Sequence, residues 1–218
     1  MKTDSRLKKD IEQELEWDPS IDAAGIGVEV RNGIVTLAGH LRSYVEKLSA
    51  RKAAQLVEGV KGVVVELDVR IPSSSRRTDE DIATSARSVL AWNAGLDEHA
   101  VKVTVEKGCV TLTGEVDWEY QARSAEKAVT PLRGVVVVVN QIQIKHQPVP
   151  TDIPARIEAA LKRHAEDESR RVRVDVDDGT VTLHGTVSSL AEKSLALHAV
   201  WSAPGVRHVL DELTVARR

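Results

Sequence analysis

"NGIVTLAG" at residues 32–39 is written twice more along the chain, as "KGCVTLTG" at 107–114 and "DGTVTLHG" at 178–185. Each copy sets a pair of alternating apolar residues, Val35 and Leu37, Val110 and Leu112, or Val181 and Leu183, behind Gly33, Gly108 or Gly179. Asn-Gly and Asp-Gly are favoured in two-residue hairpin turns, because both turn positions need positive φ. The octapeptide therefore reads as a turn followed by a half-buried strand, with Thr36, Thr111 and Thr182 facing away from the core. The closing glycine, Gly39, Gly114 or Gly185, is expected to end that strand.

Working outward, three segments superimpose without a gap, Leu7, Ile82 and Ile153 each lying 62 positions before Val69, Ile144 and Val215. Upstream of the turn the apolar period is two: Ile26, Val28 and Val30, then Val101, Val103 and Val105, then Val172, Val174 and Val176. Further upstream the period widens to four, with Leu7, Ile11 and Leu15, Ile82, Ala86 and Leu90, and Ile153, Ile157 and Leu161 forming an amphipathic helix stripe. Downstream, Ser43 with Glu46 and Ser189 with Glu192 have capping-box spacing. Behind them runs a small-residue face of Ala50, Ala53 and Ala54, Ala125, Ala128 and Val129, or Ala196, Ala199 and Val200. Gly59, Gly134 and Gly205 are expected to stop this second helix as C-cap glycines. A third strand then turns Val63, Leu67 and Val69 inward, matched by Val138, Ile142 and Ile144 and by Val209, Leu213 and Val215.

The predicted fold class is α+β: three tandem αββαβ domains over residues 4–71, 78–145 and 151–217, each a three-stranded mixed sheet with two helices on one face. The hairpin makes the first two strands antiparallel, and the right-handed crossover makes the second and third parallel. "PSSSRRT" at 72–78 and "HQPVPT" at 146–151 read as short joints.

Composition narrows the function. A hydrophobic share of 42% supplies core material, but with no Phe, four Trp and two Tyr that core must be aliphatic. Thirty basic against 33 acidic residues give a net charge of −3, so no global field draws the chain to nucleic acid, and none is expected as a partner. The opening "MKTDSRLKKDIEQELEW" has no apolar signal-peptide core, and no run later is long enough for a transmembrane segment. The expected location is cytoplasmic, or periplasmic if a leader has been removed. Cys109 is alone and forms no internal disulfide.

The sequences "IGVEVRNGIVTLAG" with "GVKGV", "VKVTVEKGCVTLTG" with "GVVVV", and "VRVDVDDGTVTLHG" with "GVRHV" resemble the BON domain, named for bacterial osmotically induced and nodulation proteins. The resemblance spans nearly the whole chain and implies the αββαβ fold. It also implies roles of the kind known in that family: envelope stress, phospholipid contact, chaperoning of exported proteins and, in one branch, potassium sensing.

No side-chain constellation for chemistry stands out. The acidic "VDVDDG" at 174–179 lacks the ligand spread of a calcium loop, its counterparts being Glu29, Arg31 and Asn32 or Thr104, Glu106 and Lys107. His40, His99, His146, His164, His184, His198 and His208 form no HxH or HExxH pair, so no metal site is expected. There is no nucleophile elbow, P-loop or dinucleotide-binding glycine motif, so no catalytic residue and no cofactor is expected. The outer sheet faces read as solvated, with Glu29, Arg31 and Glu66, Lys102, Thr104, Gln141 and Gln143, and Arg173, Asp175, Glu212 and Thr214.

Trp17 and Trp92 share one position just past the first-helix stripe, which predicts indoles partly covering the core. Trp118 stands where the other copies have Ser43 and Ser189, and Tyr120 is near it, so these two are the candidate contacts for a lipid surface or a protein partner. The nine glycines Gly33, Gly39, Gly59, Gly108, Gly114, Gly134, Gly179, Gly185 and Gly205 are assigned structural roles. The expected function is a soluble, non-enzymatic bacterial binding or stress-protection module for phospholipid surfaces or envelope-related partners under osmotic stress. The alternatives are an intracellular potassium-responsive sensor and a protein-interaction scaffold.

Overall fold

The computed structural model describes residues 2–93, 95–97, 99–145, 157, 159, 172–203 and 205–216. The first repeat runs α1 (Asp4–Trp17), β1 (Ile26–Arg31), β2 (Ile34–Leu41), α2 (Tyr44–Leu56) and β3 (Gly62–Val69). The second runs α3 (Asp79–Ala91), β4 (Val101–Glu106), β5 (Cys109–Val116), α4 (Glu119–Val129) and β6 (Val137–Ile144). The third contributes β7 (Val172–Asp177), β8 (Thr180–Val187), α5 (Leu190–Trp201) and β9 (His208–Val215). Ile157 is helical and buried in the third core, whereas Ile153, Leu161, the joint at 146–151, His146 and His164 lie outside the described residues.

Each sheet has three strands, with the strand that follows the hairpin in the centre. In the first, β1 runs antiparallel to β2 from Ile26 opposite Gly39 to Arg31 opposite Ile34, and β3 runs parallel to β2 from Gly62 beside Ile34 to Val69 beside Leu41. The third sheet repeats this pairing, β7 antiparallel and β9 parallel to β8. The fold is thus α+β, built three times over mixed three-stranded sheets. By compactness the chain divides into two units, Met1–Val116 with Gln121–Gln143, and Asp117–Tyr120 with Ile144–Arg218.

The cores follow from the sequence periods. Leu7, Ile11 and Leu15 of α1 and Ala50, Ala53 and Ala54 of α2 are buried with Val35, Leu37, Leu41 and Leu67 of the sheet. Small residues on α2 let its axis lie close over β2 and β3, on which it packs. In the second repeat Ile82, Ala86 and Leu90 gather with Val110, Leu112, Ala125 and Val129 in one cluster. The third cluster joins Ile157 to Val181, Leu183, Ala196, Ala199 and Val200.

Two local readings need correction. Gly39, Gly114 and Gly185 do not end their strands, which run on to Leu41, Val116 and Val187. The glycine is required in mid-strand because φ is +136° at both Gly39 and Gly114, and a Cβ there would collide with the carbonyl oxygen of Gly25 or of Ala100. Nor are Gly59, Gly134 and Gly205 helix caps: α2, α4 and α5 end at Leu56, Val129 and Trp201, before those glycines are reached. In the first copy Val57 is already extended, and Gly59 lies inside a turn closed by the Val60 N–H donating to the Val57 carbonyl at 3.2 Å.

The hairpin turns use contacts that periodicity does not reveal. Positive φ at Asn32 and Gly33, and at Lys107 and Gly108, points two successive N–H groups outward at each turn. The Asp4 carboxylate accepts from Asn32 N at 2.7 Å and Gly33 N at 3.1 Å, and Asp79 accepts from Lys107 N at 2.7 Å and Gly108 N at 2.9 Å. Asp4 and Asp79, the first residues of α1 and α3, thereby tie those two helices to their hairpins.

Candidate functional site

Trp17 and Trp92 are the largest departure from expectation. They do not cover the core: Trp17 is 84% and Trp92 89% exposed. The reason lies in the helix ends. Trp17 is the last residue of α1, two positions past buried Leu15, a 200° rotation that turns it away from the core stripe. Trp92 holds the same position after Leu90, as the C-cap of α3.

Behind each indole the chain is fixed. Ser20 donates its N–H at 2.9 Å and its hydroxyl at 2.7 Å to the Asp18 carboxylate, and these bonds, the hydroxyl first, hold that carboxyl below its ordinary value. After Trp92, Asn93 donates to the Ser124 hydroxyl of α4 at 2.7 Å, and the Gln121 side chain donates to the Gly95 carbonyl at 2.6 Å. The indoles are presented to solvent on anchored segments, so ordering them for a contact costs less entropy than ordering a loop.

Trp118 is 37% and Tyr120 61% exposed, at the start of α4. Ser43 and Ser189, at the positions matching Trp118, accept from the main-chain N–H of Glu46 and Glu192 at 3.2 and 3.1 Å. Each glutamate in turn accepts from the residue before the cap, Arg42 N or Ser188 N, instead of from the cap itself. In the second copy Trp118 and Gln121 replace that pair, and Gln121 holds the 93–100 loop instead.

Beside Trp92 a groove of about 710 Å³ opens between α3, the loop after it and β4. Leu90, Leu96 and Val101 are among its walls, and Arg87, His99 and Lys102 bring basic groups to it. The sequence alone reads Lys102 as part of a solvated sheet face and His99 as one of the scattered histidines, and gives Arg87 no role. In the gapless superposition their places hold Glu12, Ala24 and Gly27 in the first copy and Glu158, Arg170 and Arg173 in the third.

The outer face of the third sheet carries a polar row in which the His184 ring nitrogens lie 3.4 Å from Asp175 and 2.8 Å from Glu212. The carboxylates meet different ring nitrogens and do not converge on one point. Among the described residues no group of three or more His, Cys, Asp or Glu is arranged to hold a metal ion. Cys109 is half-buried on β5, opposite Glu106. No helix among the described residues is long and apolar enough to cross a membrane.

Over 143 residues, 62% of this chain and 71% of the relative, the sequence is 27% identical to osmotically-inducible protein Y of Escherichia coli strain K12. Among solved structures, the C-terminal domain of CdsD, the structural protein of the type III secretion system of Chlamydia trachomatis, aligns with 97% of this chain and 98% of its own at 17% identity and a TM-score of 0.27. The PrgH periplasmic domain aligns with 88% of this chain and 95% of its own at 12% identity and a TM-score of 0.23. The BON domain model matches residues 3–71, 78–146 and 151–217, and the chain belongs to the BON domain family in three tandem copies.

Proposed function

We propose that this chain is a non-enzymatic stress-protection protein that docks on phospholipid surfaces through exposed indoles of its first two repeats. One observation carries the reading: Trp17 and Trp92, at matched positions, keep their rings in water. An indole presents about 150–250 Å² of mostly apolar surface with one N–H, a combination suited to the boundary between water and hydrocarbon. Leaving two such rings exposed gives up burial free energy that the fold could have used, which a docking role explains. The similarity to an osmotically-inducible protein supports a role under osmotic stress. The reading needs a compartment bounded by a phospholipid leaflet, which the cytoplasm and the periplasm both offer.

Trp118 and Tyr120 are proposed as secondary contacts, and residues 4–71, 78–145 and 151–217 as the domains that carry these groups. Co-sedimentation with phosphatidylglycerol-containing vesicles tests the assignment. The intact protein is expected to pellet with vesicles, Trp17→Ser/Trp92→Ser to lose most of that binding, and Trp118→Ser to lose a smaller part. Undiminished binding by the double variant would remove the indoles from the reading. Absence of binding by the intact protein would remove the lipid.

A further inference from the structure

We propose that the outer edge of β3 in the first repeat pairs antiparallel with β3 of a second copy of this chain, joining two chains by a strand ladder across a two-fold axis.

Each sheet has three strands, so β3, β6 and β9 are all edge strands. The register fixes which backbone groups of β3 face outward. The Arg70 N–H donates inward to the Leu41 carbonyl, and Leu41 lies beside Val69, so alternation turns the N–H and C=O of Val63, Val65 and Leu67 away from β2. An unpaired row of this kind is a template for another strand unless something blocks it.

The three copies block it to different degrees. In the third, Asp211 accepts from the Leu213 N–H at 3.1 Å, while Lys193 donates to the Leu213 carbonyl at 2.8 Å and meets Asp211 at 2.9 Å. Both outward groups of Leu213 are therefore taken. In the second, Asn140 accepts from the Ile142 N–H at 3.2 Å and donates to the Ala122 carbonyl at 3.0 Å, which lays its amide over the edge. The first copy has Val65 at the place of Asn140 and Asp211. Val65 brings no polar atom, and Lys47 takes only the Leu67 carbonyl, at 2.7 Å. Among the described residues no side chain engages the N–H or C=O of Val63 or Val65.

These four groups complement their own copies. With two β3 strands antiparallel about Val64, Val63 of each chain exchanges two hydrogen bonds with Val65 of the other and leaves Lys47 undisturbed. Val64, exposed on the outer face, then lies against Val64 of the second copy, and Glu66 meets Gly62 instead of another carboxylate. Centring the pair on Val65 would need the Leu67 carbonyl that Lys47 holds, and centring it on Glu66 would oppose two carboxylates.

Sedimentation velocity of the full chain, from micromolar to millimolar concentration, tests the pairing. The parent is expected to pass from the mass of one chain to that of two. Val65→Asp sets beside Lys47 the carboxylate that Asp211 sets beside Lys193, and Val64→Lys opposes two ammonium groups at the axis. Each should weaken association by about tenfold or more, one decade in Kd. Val64→Lys alters an exposed residue, so it carries the test even if Val65→Asp, at a half-buried one, fails to fold. An equimolar mixture of Val64→Lys and Val64→Glu should associate again, because unlike charges then face each other. In the parent, the Val63 and Val65 amides should exchange more slowly at the higher concentration. A one-chain mass throughout, association that survives both substitutions, or a mixture that associates no better than Val64→Lys alone would each overturn the proposal. Protection of those two amides by an added extended peptide, in a chain that stays single, would overturn it in favour of a foreign strand.

Discussion

At the scale of single residues, the repeated octapeptide encodes backbone geometry, and its glycines can be ranked by what a side chain would meet. At Gly114 the residue is mid-strand with φ +136°, and an added Cβ would strike the Ala100 carbonyl oxygen, a main-chain atom that cannot swing aside. Gly114→Ala is therefore expected to destabilise the second repeat by about 2–3 kcal/mol, combining backbone strain with a forced shift of the loop. Urea unfolding followed at the second repeat checks this, and a loss no larger than that of an ordinary surface substitution would show that the loop yields freely. Asp79 makes a second residue-scale case, since its carboxylate takes both outward N–H groups of the Lys107–Gly108 turn. Asp79→Ala should cost about 1–3 kcal/mol, the worth of hydrogen bonds to a charged acceptor, and Asp79→Asn should recover part of it. The glycines were legible because a turn announces itself locally. Asp79 was not, since its partners lie 28 and 29 residues away and an acidic residue at a helix start already has a local explanation.

At the scale of elements, the strands and the helix stripes were legible because one apolar face repeats three times in register. The helix ends were not. In the sequence glycine reads as the stop signal, whereas α2 ends where Val57 turns extended and the glycine shapes the turn that follows. The same blind spot hid the exposure of Trp17 and Trp92, because recurrence alone does not say toward which side of a helix end a ring points. Helix starts obey clearer chemistry. Thr78 and Asp81 form a reciprocal box at the start of α3, the Thr78 hydroxyl accepting from Asp81 N at 3.1 Å and Asp81 accepting from Thr78 N at 3.2 Å. Hydrogen bonding from the Thr78 side chain, then from its main-chain N–H, holds the Asp81 carboxyl below its usual value of 3.8. A depressed folded-state value means the stabilisation is complete above the unfolded value and is lost as pH falls through the folded one. Thermal melts between neutral and strongly acidic pH should therefore show a smaller acid loss in Asp81→Asn than in the parent. Identical acid profiles would show that the box does not contribute to the pH dependence.

At the scale of the whole molecule, repetition discloses what the copies share and conceals what one copy does alone. Tyr44 falls in the second class, its counterparts being Glu119 and Leu190. Tyr44 opens α2 of the first repeat, yet its ring packs against the core cluster of the second, beside which Val89 of α3 also lies. A side chain from one αββαβ unit thus completes the hydrophobic surface of the next. The consequence is energetic coupling: opening the first repeat uncovers part of the second core, so the two share stability instead of holding it independently. Tyr44→Ala removes that half-buried ring and should cost the second repeat about 1–2 kcal/mol, although the substitution lies outside it. Hydrogen exchange reads the effect residue by residue. Faster exchange is expected at Val110 and Leu112 of β5, in the sheet of the second repeat, while Val181 and Leu183, which belong to the third core cluster, keep the parent rate. Acceleration confined to Val35 and Leu37 of the first sheet would mean that Tyr44 stabilises only its own repeat and that the tandem copies are energetically separate.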